Sequence, residues 1–377
     1  MFIRRQTLRA RIVLSWELIT TAKAAVHSKF SSITQSTTRS FTSSTKYRMP
    51  GRYSEAHELQ NLAGPGDARP TALQIIKDND LEGKMPDKVF LVTGGSAGIG
   101  IETGRALAAT GGKVFMTVRD LKKGETACNS FLEPGRVELL EMDNNSLDSV
   151  RAAAKTFLSK SDKLNVLVNN AGIMAAPYQK TKDGFESQFG VNHLAHFLLF
   201  NLLKETMLKS SLPDFHSRVV CVSSSGHAAG EVQFGNYDFS NGESYSPWAG
   251  YGQAKTANVY MANHIHTLYG SKGLHGLSLH PGGIWTGLQK YVSDEQLAKW
   301  KATPNVDNYV KSAEQGAATS VLAAVGKDYE GQGRLYLADC ETRETEGDGD
   351  KGYSKWAFDE EKETRLWEDS EKMVGLA

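Results

Sequence analysis

Tyr251 and Lys255 are the residues whose types and spacing point most directly to chemistry. They stand four residues apart in the run Tyr-Gly-Gln-Ala-Lys, which places both side chains on one face of a helix. A phenol and an ammonium group in this arrangement can act as a proton donor and its electrostatic partner. Such a pair often occurs by chance, so its interpretation depends on the motifs that precede it.

The first of these motifs is a glycine-rich turn, Val92-Thr-Gly-Gly-Ser-Ala-Gly-Ile-Gly100. Glycines allow the backbone to turn tightly and approach a pyrophosphate, whose charge the following helix N-terminus stabilises. Surface turns are also glycine-rich, but a predicted strand before this turn and a predicted helix after it favour a dinucleotide site. The predicted cofactor-binding residues of the turn are Gly94, Ser96, Gly98, Ile99 and Gly100.

The residues after the second predicted strand distinguish NADP from NAD. A carboxylate at position 118 would accept hydrogen bonds from the adenosine ribose and repel a 2′-phosphate. Position 118 is a valine, and it is followed by Arg119, whose guanidinium can bind a phosphate through two hydrogen bonds. The sequence therefore favours NADP. Lys122 and Lys123 fit a solvated helix start, and Asp143 fits either an acceptor for the adenine amino group or a helix cap.

The elements that must position these residues alternate along the chain. Short apolar strands are followed by amphipathic helices, a pattern that predicts an α/β fold with a doubly wound parallel sheet of Rossmann type in a single domain. We expect residues 87–340 to form the NADP-binding catalytic domain. A polar lead-in at residues 49–86 precedes it, and an acidic tail at residues 341–377 should pack on it as a terminal helix. The predicted strands span 88–93, 113–118, 164–169, 218–222, 274–280 and 334–338, and the longest predicted helices span 185–208 and 249–269.

Residues 1–48 differ in composition from the rest of the chain. They are rich in Arg, Ser and Thr and contain one acid, Glu17, as is typical of a mitochondrial transit peptide. A non-native extension ahead of a true start at Met49 explains this composition equally well. The first interpretation predicts a mitochondrial protein and the second a cytoplasmic one.

The overall composition excludes several other functions. The chain has 43 basic and 43 acidic residues, so no net field indicates a nucleic acid partner. No apolar run is long enough to cross a bilayer. Three widely spaced cysteines fit free thiols rather than a metal or redox site. His193 and His196 share a helix face without a carboxylate, so we expect packed or hydrogen-bonded histidines and no metal.

Several motifs together resemble the short-chain dehydrogenase/reductase family: the glycine turn, Asn169-Asn170-Ala171-Gly172, Tyr251 with Lys255, and Pro281-Gly282. The resemblance covers about residues 87–340. Within it, the runs F-G-V-N-H-L-A-H-F at 189–197 and R-V-V-C-V-S-S-S-G-H at 218–227 are similar to the retinol-dehydrogenase-like and WW-domain-oxidoreductase-like branch. This set of motifs is specific for the family and poorly specific for a substrate.

The resemblance implies a catalytic tetrad of Asn192, Ser224, Tyr251 and Lys255. The Lys255 ammonium, together with the charge of an oxidised nicotinamide, should lower the pKa of Tyr251, and Lys255 can also hold the nicotinamide ribose. Ser224 would polarise the substrate oxygen, with Ser223 and Ser225 as the alternatives. Asn192 would hold a water that connects Lys255 to solvent, or it could instead cap or bridge helices.

The resemblance also implies contacts beyond the tetrad. Asn170 belongs to the cofactor site, and the Ile284 backbone and the Thr286 hydroxyl would hold the nicotinamide carboxamide. In this family the region that corresponds to the polar insertion at residues 287–312 caps the substrate. Aromatic side chains nearby fit either an apolar pocket wall or core packing, and the two long helices often form the face of a homodimer. The aromatic candidates are Tyr245, Trp248 and Trp285.

These motifs predict an NADP-dependent oxidoreductase that interconverts an apolar ketone or aldehyde and its alcohol by hydride transfer. One alternative is a non-catalytic dinucleotide-sensing or interaction protein on the same fold, although such a protein has little need of all four tetrad residues. Another is a reductase of an activated C=C bond, which would share the cofactor and much of the site. The motifs fit retinoid, steroid, lipid aldehyde and secondary-metabolite substrates alike.

Overall fold

Seven strands run parallel in a sheet that an antiparallel eighth strand completes, within residues 51–345 and 352–377, which the computed structural model of the chain describes. The stretch predicted as a transit peptide or extension, residues 1–48, lies outside the described residues. The strand order is β3-β2-β1-β4-β5-β6-β7-β8. The strands are β1 (Val89–Thr93), β2 (Lys113–Val118), β3 (Val137–Glu141), β4 (Val166–Asn169), β5 (Ser217–Val222), β6 (Leu274–His280), β7 (Leu335–Ala338) and β8 (Glu341–Arg343).

Helices connect these strands and cover both faces of the sheet. Their bounds are α1 (Ala72–Asp78), α2 (Ile99–Ala109), α3 (Leu121–Cys128), α4 (Leu147–Lys160), α5 (Ser187–Phe189), α6 (Ala195–Ser210), α7 (Pro247–Tyr269), α8 (Asp294–Lys301), α9 (Val306–Tyr309), α10 (Ala313–Gly316), α11 (Ala318–Val325) and α12 (Glu360–Met373). A π-helical turn, Gly190–Leu194, joins α5 to α6. Two 3₁₀ turns, Ser225–Ala229 and Gly287–Tyr291, lie near the candidate site described below.

The predicted doubly wound parallel sheet is confirmed, and its order reverses between β1 and β4. Alternate residues of β1 point to opposite faces, so Leu91 packs with the α4 and α6 side while Phe90 packs with the α1 and α2 side. Both side chains are fully buried, and each stabilises the fold by roughly 2 kcal/mol. Burial on both faces explains why the strands appear in the sequence as uninterrupted apolar runs.

The two chain segments outside the predicted catalytic domain pack against it. In the lead-in, α1 begins at the cap Thr71, whose hydroxyl accepts the Gln74 N–H, and it buries Ile75 and Ile76 against the core. In the tail, α12 packs on α6 and α7. Trp367 lies edge-on against Phe197 at 4.8 Å, so α12 covers part of the face that the resemblance implied for a homodimer.

The lack of a membrane-spanning segment and the state of the cysteines were both predicted from the sequence. Among the described residues, no helix is both long and apolar enough to cross a membrane. Cys128, Cys221 and Cys340 are buried free thiols, as their spacing predicted.

Candidate active site

Four neighbouring strands bring the sequence motifs to one edge of the sheet. The glycine turn follows β1, the Asn-Asn-Ala-Gly segment follows β4, the serine cluster follows β5, and Pro281 to Thr286 follow β6. These strands are adjacent and parallel, so their carboxyl ends meet at the point where the strand order reverses. Ligands bind at such a crevice in open α/β sheets.

The glycine turn has the backbone shape that a diphosphate requires. Gly98, the residue before α2, has φ 65° and ψ −145°, a conformation that other residues rarely adopt. A Cβ on Gly100 would lie 2.2 Å from the Gly94 carbonyl oxygen, so the two backbone segments approach as closely as glycine allows. The first N–H groups of α2 lack intrahelical partners, and they open onto this turn, in which Ser96 is exposed. These features fit a dinucleotide.

Asn170 shapes the turn from the neighbouring strand. Its side-chain Nδ2 donates to the Thr93 carbonyl at 2.7 Å, while the backbone N–H groups of Asn170 and Ala171 both donate to the Thr93 hydroxyl at 2.9 Å. The carboxyl ends of β4 and β1 are thereby tied together. Asn170 therefore lies beside the glycine turn with its side chain bound to the protein backbone, and its contact with a cofactor stays a prediction.

The segment after β6 reaches the glycine turn from the opposite side. The Thr286 hydroxyl accepts the Leu288 N–H at 3.2 Å. Gln289 Oε1 accepts the Thr286 N–H, and Gln289 Nε2 donates to the Ile284 carbonyl. A Cβ on Gly98 would lie 3.4 Å from Thr286 Cγ2. The structure therefore brings Ile284 and Thr286 beside the predicted cofactor turn.

The residues predicted to contact the adenosine half lie at the ends of β2 and β3. Val118 is buried and Arg119 directly after it is exposed. The cap of α4 is Ser146, whose hydroxyl accepts the Ser149 N–H. Asp143 instead accepts the Asn145 N–H at 3.1 Å and pairs with Lys182 at 3.7 Å. The helix-capping alternative for Asp143 is therefore wrong. Lys122 and Lys123 are exposed in the first turn of α3, as expected for a solvated helix start.

Tyr251 and Ser224 lie together on the other side of the crevice. Tyr251 and Lys255 are buried, with 3% and 4% of their surfaces exposed. A Cβ on Gly226 would be 2.6 Å from Tyr251 Cε1 and 3.3 Å from Ser224 Oγ, so the serine loop lies against the phenol ring. Ser223 is turned away, and its hydroxyl donates to the Lys255 carbonyl at 2.8 Å. Of the two serines, Ser224 is the one beside the phenol.

The electrostatics of the pair differ from the sequence-based expectation. Burial raises the pKa of Tyr251 to about 12, against the opposing effect of a hydrogen bond with Ser224. Burial also lowers the pKa of Lys255 to about 8, and its ammonium donates to the Val222 carbonyl at 2.9 Å, 5.7 Å from the Tyr251 ring centroid. Among the protein's own groups desolvation dominates, so the pKa of Tyr251 is raised where a lowering by Lys255 was expected. The part of that lowering assigned to an oxidised nicotinamide stays a prediction. Tyr251 is a protonated phenol at neutral pH.

Asn192 lies beside Lys255, and its side chain is hydrogen-bonded to the backbone that follows β4. Its side chain accepts the Ile173 N–H at 2.8 Å and donates to the Ile173 carbonyl at 2.9 Å. A Cβ on Gly172 would lie 3.1 Å from Asn192 Oδ1 and 3.6 Å from Lys255 Nζ. The structure thus brings together the four residues implied as a tetrad. The Asn192 side chain binds the Ile173 backbone and does not cap a helix.

The π-helical turn explains how Asn192 reaches this position. Within it the Ala195 N–H donates to the Gly190 carbonyl, five residues back, which shifts the helical hydrogen bonds by one residue. The Asn192 carbonyl accepts His196 Nδ1 at 2.9 Å instead. The sequence signal for this turn is a run of polar side chains, Asn192, His193 and His196, inside an apolar helix, and the prediction of one regular helix missed it.

The histidines near Asn192 are neutral hydrogen-bonding groups. His196 Nε2 lies 2.9 Å from the Thr93 hydroxyl, and His193 Nε2 lies 2.9 Å from the Ser370 hydroxyl on α12. Burial lowers the pKa of His193 to about 3 and that of His196 to about 4. The expected packed and hydrogen-bonded histidines are confirmed. Within the described part of the chain, no group of three or more His, Cys, Asp or Glu residues is arranged to hold a metal ion.

An apolar cluster covers the Tyr251 side of the crevice. Trp248 lies edge-on to Tyr251 at 6.0 Å and contacts Trp300 of α8 at 5.7 Å. Tyr245 belongs to a separate polar network, since its hydroxyl donates to the Ala176 carbonyl at 2.7 Å, and Trp285 is 36% exposed. Of the three aromatic candidates, Trp248 is the one in this cluster. The other members are Met174, Ala175, Leu288, Val292 and Leu297.

Comparison with known proteins places this geometry in a family. A family model described as short chain dehydrogenase matches residues 88–297. The chain belongs to the short-chain dehydrogenase/reductase family. The protein "Short-chain dehydrogenase/reductase prx1" of Penicillium roqueforti is 58% identical over 330 residues, which cover 87% of this chain and 96% of that protein. "Retinol dehydrogenase 12" of Mus musculus is 35% identical over 298 residues, which cover 78% of this chain and 88% of that protein.

A solved structure supports the same assignment. An uncharacterized protein from Mycobacterium paratuberculosis is 32% identical, with a TM-score of 0.59 over 76% of this chain and 93% of its own. The short-chain dehydrogenase/reductase resemblance drawn from the motifs is thus confirmed, and retinol dehydrogenases are among the relatives. The protein is therefore an oxidoreductase of a family that uses nicotinamide dinucleotides and acts on alcohols and carbonyls.

One contact in this short-chain dehydrogenase/reductase site was not anticipated from the sequence. His227 Nδ1 lies 2.6 Å from the Ser224 carbonyl, and His227 Nε2 accepts the Ser354 N–H at 2.9 Å. Because Nε2 is an acceptor, the tautomer has its proton on Nδ1, which donates to Ser224. His227 therefore connects the serine loop to the chain segment before α12. The position of His227 within the serine motif was a signal for this role.

Proposed function

We propose that the protein is an NADP-dependent oxidoreductase that interconverts an apolar ketone or aldehyde and its alcohol by hydride transfer. One observation carries this proposal: Tyr251, a buried and protonated phenol, lies beside the Ser224 hydroxyl and beneath an apolar cluster. A proton donor, a hydrogen-bonding hydroxyl and a dry apolar surface are what reduction of an apolar carbonyl requires.

The residues that would hold the cofactor lie along the crevice. The turn after β1 would hold the diphosphate through backbone N–H groups and the α2 N-terminus. The exposed guanidinium of Arg119 beside an apolar residue 118 supports NADP over NAD. When bound, NADPH supplies the hydride. The complete proposed set is Gly94, Ser96, Gly98, Ile99, Gly100, Arg119, Asp143, Asn170, Tyr251, Lys255, Ile284 and Thr286.

The chain's own groups would manage the proton at the substrate oxygen. Ser224 would donate a hydrogen bond to that oxygen and polarise the carbonyl. Tyr251 Oη would then transfer its proton as negative charge develops on the oxygen. The Lys255 ammonium would stabilise the resulting phenolate, and Asn192 would hold the backbone beside Lys255 in place. In the oxidative direction the same groups would remove the alcohol proton.

The substrate class follows from the chemistry of the covering cluster. Trp248 and Trp300 contribute two indole faces, and aliphatic side chains of the segment after Thr286 complete the surface. Such a surface favours an apolar carbonyl compound, because binding removes apolar area from water. Because α12 covers part of the face formed by the two long helices, a homodimer would have to form through a surface that α12 leaves uncovered.

The experiment that tests the proposal is the substitution Tyr251→Phe. The variant should lose roughly 10²- to 10⁴-fold in turnover, since it has no proton to transfer. The dissociation constant of NADPH, measured by its fluorescence, should change by less than about twofold, because most of the proposed contacts are elsewhere. Tyr260→Phe is the matched control: Tyr260 is on the same helix, and its hydroxyl donates to the Trp356 carbonyl.

Three outcomes separate this proposal from its alternatives. Wild-type rates in Tyr251→Phe would contradict the assignment of the acid. Identification of the products would separate reduction of a carbonyl from reduction of a C=C bond. An absence of NADPH oxidation with a broad panel of carbonyls, and of NADP+ reduction with a broad panel of alcohols, would favour a non-catalytic dinucleotide-binding protein.

A further inference from the structure

Arg69 lies outside the family match, yet its side chain is directed at the segment that covers Tyr251. We call residues 287–310 the cap segment, and residues 53–70, which precede α1, the N-terminal arm. Arg69 is 3% exposed. Its NH1 donates to the Tyr309 carbonyl at 2.7 Å, and its NH2 donates to the carbonyls of Asn308 at 3.2 Å and Val310 at 2.7 Å. One guanidinium therefore binds three consecutive carbonyls at the end of the cap segment.

The end of the cap segment needs such a partner. Helix α9 has four residues, Val306–Tyr309, too few to be stable without external contacts. The last carbonyls of a helix have no intrahelical donors and form the negative end of its dipole. The planar guanidinium supplies several N–H groups and a positive charge at this point. Arg69 thus completes the hydrogen bonding of α9 from a distant part of the chain.

The arm holds Arg69 in a fixed orientation. Asp67 accepts Arg69 Nε at 2.8 Å and also accepts Gln315 Nε2 at 3.0 Å. Gln315 Nε2 lies 3.1 Å from the Arg69 carbonyl, and Gln315 Oε1 accepts the Gly66 N–H at 3.1 Å. These bonds remove the rotational freedom that a long side chain would otherwise have. The guanidinium is therefore preorganised toward the cap segment.

Gly64 provides a second contact between the arm and the cap segment. Its N–H donates to the Asn308 carbonyl at 3.1 Å, and its φ of 96° is in the region that favours glycine. A Cβ on Gly64 would lie 2.6 Å from the Asp307 carbonyl oxygen. The two backbones are therefore as close as they can be, and a side chain at residue 64 would force them apart.

The fixed end of the cap segment is connected to the candidate site on both sides. Immediately after it, the Lys311 N–H donates to the Gly283 carbonyl at 2.8 Å, next to the segment proposed to hold the nicotinamide. Before it, α8 places Leu297 and Trp300 in the cluster that covers Tyr251. A displacement of the Asn308–Val310 carbonyls would therefore move the residues that cover the proposed substrate.

We propose that Arg69 is a positioning residue for substrate binding, which holds the carboxyl-terminal end of the cap segment over Tyr251. The proposal rests on the proposed function, since it takes the cap segment to cover the substrate. Arg69 touches neither the proposed substrate position nor the cofactor turn, so its effect should be on substrate affinity. The N-terminal arm is in this sense a part of the substrate site.

Two substitutions test the proposal from opposite sides of the contact. Arg69→Met removes the donors, while Gly64→Ala pushes the arm away and leaves the Arg69–Asp67 pair intact. Hydrogen exchange read by mass spectrometry should show a roughly tenfold loss of protection in residues 288–310 of both variants, with residues 89–118 unchanged. The Michaelis constant for the carbonyl substrate should rise about tenfold, with kcat and the NADPH dissociation constant within about twofold. Arg69→Lys should restore part of both effects because it keeps one or two donors.

Arg136→Met is the matched control. Arg136 also donates to backbone carbonyls, those of Ala108 and Gly112, at the opposite end of the sheet, and its loss should leave the cap segment and the Michaelis constant unchanged. Unchanged exchange in residues 288–310, or an equal loss in kcat and substrate affinity, would overturn the role given to Arg69. Exchange and NADPH binding need no turnover. A wild-type protein inactive on every carbonyl would therefore refute the proposed function and the substrate part of this proposal, while exchange would still decide whether Arg69 holds the cap segment.

Discussion

The substitution Lys255→Met should stabilise the fold, because the ammonium is buried at a cost in folding free energy, and it should also lower turnover. Burial lowers the pKa of Lys255 from 10.5 to about 8. Methionine has a similar length and no charge, so it can occupy the same space. The Val222 carbonyl, which accepts Lys255 Nζ at 2.9 Å, keeps a second donor in Asn258 Nδ2 at 3.1 Å.

The magnitude and sign of the effect follow from proton linkage. Between pH 8 and 10.5 the unfolded chain binds the Lys255 proton and the native protein does not, so the stability of the wild type rises with pH in this window. The cost of burying the lysine is about 3 kcal/mol at pH 7 and falls to about 1 kcal/mol at pH 10. In the methionine variant, loss of the hydrogen bond to the Val222 carbonyl offsets about 1 kcal/mol of the stability gained by removing the charge, at either pH. The methionine variant should therefore be more stable than the wild type by about 2 kcal/mol at pH 7 and about equal to it at pH 10.

Urea unfolding of both proteins at pH 7 and pH 10 measures this difference directly. Other groups titrate in both proteins, so their effects cancel in the comparison. A stability difference that stays the same at the two pH values would refute the reasoning, since it would mean that Lys255 has the same pKa in the native and unfolded states. Turnover should fall roughly 10²-fold or more in the same variant, because the phenolate loses its charge partner.

Two further substitutions test separate parts of the site. Arg119→Ala should raise the Michaelis constant for NADPH roughly 10- to 100-fold and leave that for NADH nearly unchanged, because the guanidinium is proposed to bind the 2′-phosphate. Steady-state kinetics with both cofactors measure this difference, and equal effects on the two Michaelis constants would contradict NADP as the cofactor. His227→Ala should lower kcat about tenfold at constant NADPH affinity, because the serine loop loses its bonds to His227 Nδ1 and, through Nε2, to Ser354. An equal loss of NADPH affinity in that variant would indicate a general disturbance of the fold instead.

The sheet and most of the site were predictable from the sequence because their signals are local. Strands β2 and β6 have the predicted bounds, since apolar runs bounded by turn residues identify them without tertiary information. The helical spacing of Tyr251 and Lys255 placed both on one face of α7. The order of the motifs along the chain then implied that they meet at the carboxyl ends of parallel strands.

The features that the sequence did not predict depend on contacts between distant segments. The direction of the Tyr251 pKa shift depends on how completely the ring is removed from water, which spacing along a helix does not reveal. The π-helical turn before α6 is stabilised by side chains that replace regular backbone bonds. The role of Arg69 depends on carbonyls about 240 residues away, in a segment that appears in the sequence only as a polar insertion.

The apolar cap and the pKa values of the catalytic pair are physically connected. Val292 of the cap segment shares a cluster with Tyr251, so the cap contributes to the desolvation that raises the Tyr251 pKa to about 12. If the cap moved away, water would reach the phenol and its pKa would fall toward the ordinary value near 10. The segment proposed to bind the substrate would thus also determine how strongly the phenol holds its proton.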